Sequence, residues 1–197
     1  MTPILLNFPE AFETKRLYIR CPLPGDGPLV NAAIVESHSA LKPWMPFADP
    51  IPSVDESEEN VRRAYARFIL REDLRLHLFL RSNRRFVGSS GLHRINWTVG
   101  RFEIGYWIRT TESGKGLMTE AVNGIVRFAA ENLQAQRIEI RCDPRNERSR
   151  RVAERAGFHL EAVLLGDDPD VNGLPSDTAI YAKLRLPDES WGYPASG

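Results

Sequence analysis

Ser113-Gly114-Lys115-Gly116-Leu117-Met118-Thr119-Glu120-Ala121 stands between an alternating segment, Phe102 to Ile108, and a run with Met118, Val122, Ile125 and Ala129 at helical spacing. The order is strand, glycine turn, helix. The first N–H groups of a helix have no intrahelical partner and, with the helix dipole, attract anions. Gly114 and Gly116 lack a Cβ, so they can adopt positive φ and leave room for a pyrophosphate. The stretch reads as a phosphate site. It is not a Walker loop, which requires glycine where Arg109 stands and Ser or Thr where Gly116 stands. It also lacks the third glycine of a dinucleotide fingerprint, whose place is taken by Thr119.

The remaining ligand is the pyrophosphate of coenzyme A. Phe102-Glu103-Ile104-Gly105-Tyr106-Trp107-Ile108, the glycine turn, and Asn146-Glu147-Arg148-Ser149 running to Gly157-Phe158 follow one another in this order. Together they resemble the Gcn5-related N-acetyltransferase family, particularly its RimJ/RimL-like branch. The resemblance covers roughly residues 12 to 185. Where the family signature begins with Gln or Arg and ends with Gly or Ala, this chain has Ser113 and Met118, so Met118 has to leave room for the ligand. The resemblance implies an α/β fold: a mixed, largely antiparallel sheet of about seven strands with a splayed parallel pair, flanked by about four helices. It also implies acetyl-CoA as co-substrate. The expected contacts are Trp107, Ile108 and Arg109, the turn residues Ser113, Gly114, Lys115, Gly116, Leu117, Met118 and Thr119, and then Asn146, Arg148 and Arg151.

Composition fits one folded unit. The chain has 197 residues, 42% hydrophobic and 26% charged, enough for a substantial core, so a single domain over 1–197 is expected, with 187–197 as a tail that frays or docks by Trp191 and Tyr193. Lys plus Arg equals Asp plus Glu at 26 each, so no net field draws the chain to nucleic acid or to an anionic membrane. Cys21, Cys142 and four scattered histidines make neither a disulfide framework nor a metal-ligand pattern, and no metal is expected. Met1 to Glu10 has no basic start, and no stretch approaches the roughly 20 apolar residues of a membrane span. A cytoplasmic monomer or homodimer is expected.

Strands are expected at Leu17 to Cys21, Leu76 to Leu80, Phe86 to His93, Arg101 to Ile108, Arg137 to Arg141, Phe158 to Leu165 and Thr178 to Leu184. Helices are expected at about Gly27 to Glu36, at Ser57 to Arg71, from the glycine turn to about Asn132, and at Asn146 to Ala156 with Gly157 as its stop.

Acyl transfer from a thioester to an amine needs a neutral amine, a stabilised oxyanion and a proton for the departing thiolate. By resemblance, an acidic residue on the central strand takes the amine proton, and Glu103 holds that place; its bland alternative is a strand glutamate paired to an arginine. Many relatives place a thiolate-facing tyrosine where this chain has Ala153, and Ser149 is what the RimJ/RimL-like branch carries near the sulfur. That serine equally suits a local backbone bond. A backbone N–H near Trp107 or Ile108 is the expected oxyanion donor. Arg145, Arg148, Arg150, Arg151 and Arg155 can meet the 3′-phosphate or form a solvated face balanced by Glu147 and Glu154. For the acceptor, Trp44 and Phe47 in a Pro-stiffened segment, Ser90, and Asp177 in the closing strand are the candidates, with a loop of Asp167, Asp168 and Asp170 to attract a cationic amine. Gly88-Ser89-Ser90-Gly91 is not a nucleophile elbow. The expected activity is direct transfer, in a ternary complex, of acetyl from acetyl-CoA to the primary amine of a peptide N-terminus or peptide-like small molecule. Polyamine or amine-antibiotic acetylation, or a non-catalytic acyl-CoA sensor, are the alternatives.

Overall fold

Alternating apolar residues with a period of two set the sheet. In the computed structural model, which describes residues 2–193, its strands are β1 (Ala11–Glu13), β2 (Leu17–Arg20), β3 (Leu74–Leu80), β4 (Phe86–Asn96), β5 (Arg101–Ile108), β6 (Arg137–Cys142), β7 (His159–Pro169), β8 (Pro175–Arg185) and β9 (Trp191–Gly192). Their spatial order is β1-β2-β3-β4-β5-β6-β8-β7, with β9 also on β8. The seven expected strands are all present; β1 and β9, three and two residues long, are additions too short to show a period. Every pairing is antiparallel except β5 with β6.

Four α-helices cover the two faces: α1 (Gly27–Leu41), α2 (Val54–Leu70), α3 (Leu117–Asn132) and α4 (Glu147–Arg155). On one face Leu76, Leu78, Leu92, Phe102 and Ile104 meet Val122, Ile125 and Phe128 of α3 in the main core. Each such fully buried Leu, Ile or Phe contributes about 1.5–3 kcal/mol relative to exposure. On the other face Phe79 and Phe86 pack against Ala33 of α1, with Trp107 beside them. Helix α1 runs five residues beyond its expected end at Glu36 because Leu41 continues the buried stripe begun at Ala33 and Ile34. Helix α2 starts earlier than expected, at a capping box in which Ser53 and Glu56 satisfy each other's backbone N–H.

Two outcomes bear on the site. Strands β5 and β6 share only the pairs Arg101↔Arg137, Phe102↔Ile138 and Glu103↔Glu139, and then part while β6 stays on β8 through Cys142↔Ala179. This is the splay. The acidic segment expected as a loop is instead largely strand, since β7 runs to Pro169. Asp167 is ion-paired to Arg141 and Asp168 to Arg94, and Asp170 turns its carboxylate onto the N–H groups of Asn172 and Leu174. Asp170 thus serves the hairpin turn, while Asp167 and Asp168 are tied to arginines of β6 and β4. The tail docks as far as it is described: Trp191 pairs with Arg185, and the Tyr193 ring stacks on His159 at 4.3 Å. Residues 194–197 of the tail lie outside the described residues.

Candidate active site

The glycine turn has the form its sequence demands. Gly114 and Gly116 have φ of +76° and +75°, and open space surrounds the position of a Cβ on Gly114. Gly116 is the N-cap of α3 and, being glycine, supplies no side-chain cap, which leaves first-turn N–H groups for an anion. Leu117 and Met118 are buried in the core, so Met118 stays out of the ligand's way. Ser113 is extended and exposed just before the turn, and Thr119 is half-buried one turn along α3. These residues fit a coenzyme A pyrophosphate through backbone contacts. Bound there, that ligand would supply an activated acetyl thioester.

The cations expected around this ligand divide. Lys115 is drawn 3.0 Å from the buried Glu112, which also accepts from Arg85 at 2.9 Å. Arg109 donates to Glu36 at 2.5 and 3.0 Å and so ties the turn to α1, and its hydrogen bond holds the Glu36 carboxyl down at about 2. Arg151 pairs with Glu147 at 3.1 Å, whereas Arg148 is exposed and, among the described residues, forms no ion pair. Arg16 was not legible from the sequence. Its guanidinium donates to the Lys115 carbonyl at 2.9 Å and to Glu120 at 2.6 Å, bracing the turn from a strand end a hundred residues away.

Across the splay, Asn146 caps α4 by accepting from the Ser149 N–H at 3.1 Å. Ser149 Oγ lies 3.1 Å from the Tyr106 hydroxyl, which donates to the Ser149 carbonyl at 2.9 Å. Burial pushes the Tyr106 hydroxyl above its ordinary range, so it stays protonated. Tyr106 thus orients Ser149, a role hidden in a sequence where it alternates with Glu103. Ladder parity also sorts the oxyanion donors. Arg109 N–H donates to Val87 O at 2.8 Å, so the N–H groups of Trp107 and Gly105 face β4, while those of Ile108 and Tyr106 face the opening.

The opposite face holds a cavity of about 490 Å³. Phe47, Met45, Ile34 and Trp107 form its apolar wall, and Arg75, His77, Ser89, Ser90 and His93 its polar side. It reaches Gly105 and Tyr106, where β5 leaves β6. Phe47 lies 6.0 Å from Trp107, ring to ring, and Ser90 Oγ donates to Gly105 O at 2.8 Å. Trp107 therefore presents its side chain to this cavity. Trp44 does not line it, and Asp177 accepts from the Gly166 N–H at 2.9 Å in the β7–β8 hairpin, away from it. Glu103 lines a separate 120 Å³ pocket with Arg94, Arg101, Glu139 and Arg141. Burial raises the Glu103 carboxyl against the pull of these arginines, and Arg94 approaches to 3.6 Å. Among the described residues, no group of three metal-ligating side chains gathers, and no helix is long and apolar enough to cross a membrane.

Known proteins share this arrangement. The chain is 32% identical over 176 residues to the putative ribosomal N-acetyltransferase YdaF of Bacillus subtilis, covering 87% of this chain and 92% of that protein. It is 25% identical over 146 residues to the ribosomal-protein-serine acetyltransferase of Escherichia coli, covering 73% and 80%. In fold it is similar to the microcin C7 self-immunity acetyltransferase MccE in complex with acetyl-CoA and AMP, with a TM-score of 0.84 at 21% identity over 90% of this chain and 97% of that one. It is also similar to RimL, a ribosomal L7/L12 alpha-N-protein acetyltransferase in complex with coenzyme A, with a TM-score of 0.82 at 20% identity over 89% and 98%. Residues 16–159 match the acetyltransferase (GNAT) domain, so a phosphate-ready glycine turn, a splayed parallel pair and a cavity behind it belong here to a GNAT acetyl-CoA-dependent N-acetyltransferase, a member of the RimJ/RimL-like branch.

Proposed function

We propose that this enzyme acetylates the α-amino group of a peptide or protein N-terminus, by direct attack of the amine on acetyl-CoA in a ternary complex. The observation that carries the reading is the 490 Å³ cavity, which enters from the α1–α2 face and ends at Gly105 and Tyr106 beside the splay. A cavity there admits the acceptor from one side of the sheet while the glycine turn holds the acyl donor from the other. Its wall suits a peptide's first side chains. Apolar residues make up one side, and Ser89, Ser90 and Asn60 offer hydrogen bonds to a main chain on the other. The names of two relatives, the putative ribosomal N-acetyltransferase YdaF and the ribosomal-protein-serine acetyltransferase of Escherichia coli, support a protein acceptor.

A polyamine fits less well. Glu56 is the one carboxylate in the cavity lining, against Arg75 and two histidines, and polycations need several carboxylates. For the donor, we assign the pyrophosphate to N–H groups from Gly114 to Thr119, and the exposed Arg148 to the outer phosphate. Ser149 turns its one O–H from Tyr106 to the departing sulfur while Tyr106 keeps its bond to the Ser149 carbonyl, and Ile108 N–H meets the oxyanion. Glu103 lies beside the amine's route, in its own arginine-lined pocket, and contributes a carboxylate's field there.

Thiol release from acetyl-CoA, followed with a thiol-reactive dye, tests this against peptides with varied N-termini, polyamines and aminoglycosides. Saturable release with N-terminal-serine or N-terminal-alanine peptides, with a 42 Da gain at the α-amine by mass, is the expected result. Turnover with polyamines alone rejects the acceptor assignment, and acetyl-CoA binding without turnover on any amine makes the chain a sensor.

A further inference from the structure

We propose that His93, oriented by Asp73, is the catalytic group that receives the proton of the attacking amine, on the reading of the cavity given above. Strand β4 presents Ser89, Gly91 and His93 to the acceptor face, opposite Trp107, Gly105 and Glu103 of β5. His93 lines the cavity and Glu103 does not. Its Nδ1 lies 2.7 Å from Asp73 Oδ2. An ionised carboxylate only accepts, so Nδ1 carries the hydrogen, and in the neutral ring Nε2 then keeps its lone pair. Burial raises the Asp73 carboxyl, and only the hydrogen bond from His93 together with nearby positive charge, Arg75 and Arg67 included, leaves it below its ordinary value.

Backbone shape aims the ring. Gly105 sits beneath it: a Cβ there would lie 3.1 Å from His93 Cδ2 and 3.4 Å from Nε2, so the absence of a side chain at 105 lets the Nε2 edge settle over the strand. Gly105 and its neighbour Tyr106 also line the inner end of the cavity. Among the described residues, Nε2 has no hydrogen-bond partner. A lone pair without a partner, in the cavity where the amine enters, is placed for general-base work.

The step balances as follows. The amine lone pair forms the C–N bond at the thioester carbonyl, and the C–S bond breaks with its electron pair on sulfur. The extra proton on nitrogen passes to His93 Nε2, which becomes an imidazolium paired to Asp73. The thiolate, hydrogen-bonded by Ser149, takes a proton from water, and the imidazolium returns one to water through the open cavity. Asp73 is a positioning residue. Glu103, the cross-strand neighbour of His93, adds negative charge near the imidazolium but lies outside the cavity wall. Of the two carboxylates beside His93, Asp73 feels Arg75 on β3 and Arg67 on α2, and Glu103 feels Arg94 on β4 and Arg141 and Glu139 on β6.

Steady-state kinetics with acetyl-CoA and an N-terminal-serine heptapeptide, from pH 5 to 9, provide the test. The wild-type enzyme is assayed first, so that loss in a variant is distinct from absence of the parent activity. We expect His93→Gln to lower kcat about 10²–10⁴-fold and to leave the calorimetric Kd for acetyl-CoA within about twofold. Asp73→Asn should lower kcat about tenfold or more with a smaller change in KM, and His93→Gly should regain turnover with added imidazole. Histidine 15N shifts of the resting protein should show Nδ1 protonated and Nε2 bare, a readout independent of turnover. A folded His93→Gln enzyme with kcat within about threefold of wild type overturns the assignment, as does an Nε2–H tautomer at rest.

Discussion

Gly116 holds a left-handed φ of +75° at the N-cap of α3, where the first-turn N–H groups have no side-chain cap. A β-branched residue there pays about 1–2 kcal/mol in backbone strain and sets its methyls where the pyrophosphate approaches. Gly116→Val is therefore expected to lower stability by about that amount and to raise the Kd for acetyl-CoA about tenfold or more, read by denaturant unfolding and calorimetry. Retained affinity would move the phosphate away from this turn. On the other side of the splay, Ser149 and Tyr106 act as one unit, because Tyr106 both accepts from Ser149 Oγ and donates to the Ser149 carbonyl. Tyr106→Phe and Ser149→Ala should each lower kcat several-fold, and the double variant should lose little more than the worse single one, the mark of a shared function. Full additivity of the two losses would separate them. Glu103→Gln should cost less turnover than His93→Gln, since its carboxylate acts through the field rather than by contact.

At the scale of elements, the glycine turn is held from three directions. Arg109 reaches Glu36 on α1, Arg16 at the start of β2 reaches Glu120 and the Lys115 carbonyl, and the buried Glu112 gathers Arg85 and Lys115. Glu112→Ala removes the hub of the last set and takes the ion pair from Lys115, while Arg85 keeps its bond to the Thr111 hydroxyl. Both cations are part-exposed, which limits the loss to about 1–2 kcal/mol of stability. The same change should weaken acetyl-CoA binding with kcat at saturation nearly intact, since no reacting group moves; a fall in kcat alone would place Glu112 in the chemistry. These braces mark what a sequence conceals. The turn, the alternation of β5 and the helix from Asn146 were legible because each is local: a glycine pair, a period of two, a short helical stretch stopped by Gly157. Arg16 with Glu120, or His93 with Asp73, join residues far apart in the chain, and no local pattern distinguishes such an arginine or histidine from a solvated one. Glu103 was favoured because its strand was recognisable. Which side chains share the cavity with the amine depends on how β4 lies against β5, and that register appears only in the folded sheet.

Across the whole molecule, buried and paired titratable groups shape stability against pH, and their signs can be worked out separately. Burial raises Asp26, but hydrogen bonds from His77 and Arg20 outweigh it and hold the carboxyl well below the usual carboxylate range. The guanidinium of Arg109 holds Glu36 at about 2, and that of Arg145 holds Asp143 at about 2. A depressed carboxylate contributes stability above its unfolded value near 4, and that contribution is lost as pH falls through the folded value. His77 is kept below its ordinary 6.5 by burial. The unfolded chain therefore takes up that proton first, and stability begins to fall below about pH 6.5, before the carboxylates add their loss below about 4. The alkaline side has the opposite origin. Burial, with Glu10 nearby, raises the Cys21 thiol from 9.0 to about 11. A raised acid stabilises the fold below its unfolded value, so this contribution is complete below about pH 9 and disappears as pH rises to about 11. Thermal midpoints from pH 3 to 11 should thus form a plateau between about 6.5 and 9, with a stepped acid limb and a shallower alkaline one. Cys21→Ala should lower the plateau, because a buried sulfur leaves a small cavity, yet flatten the limb between pH 9 and 11. If the variant keeps the wild-type alkaline slope, the loss belongs to other groups and Cys21 is not the thiol that the folded core protects from ionising.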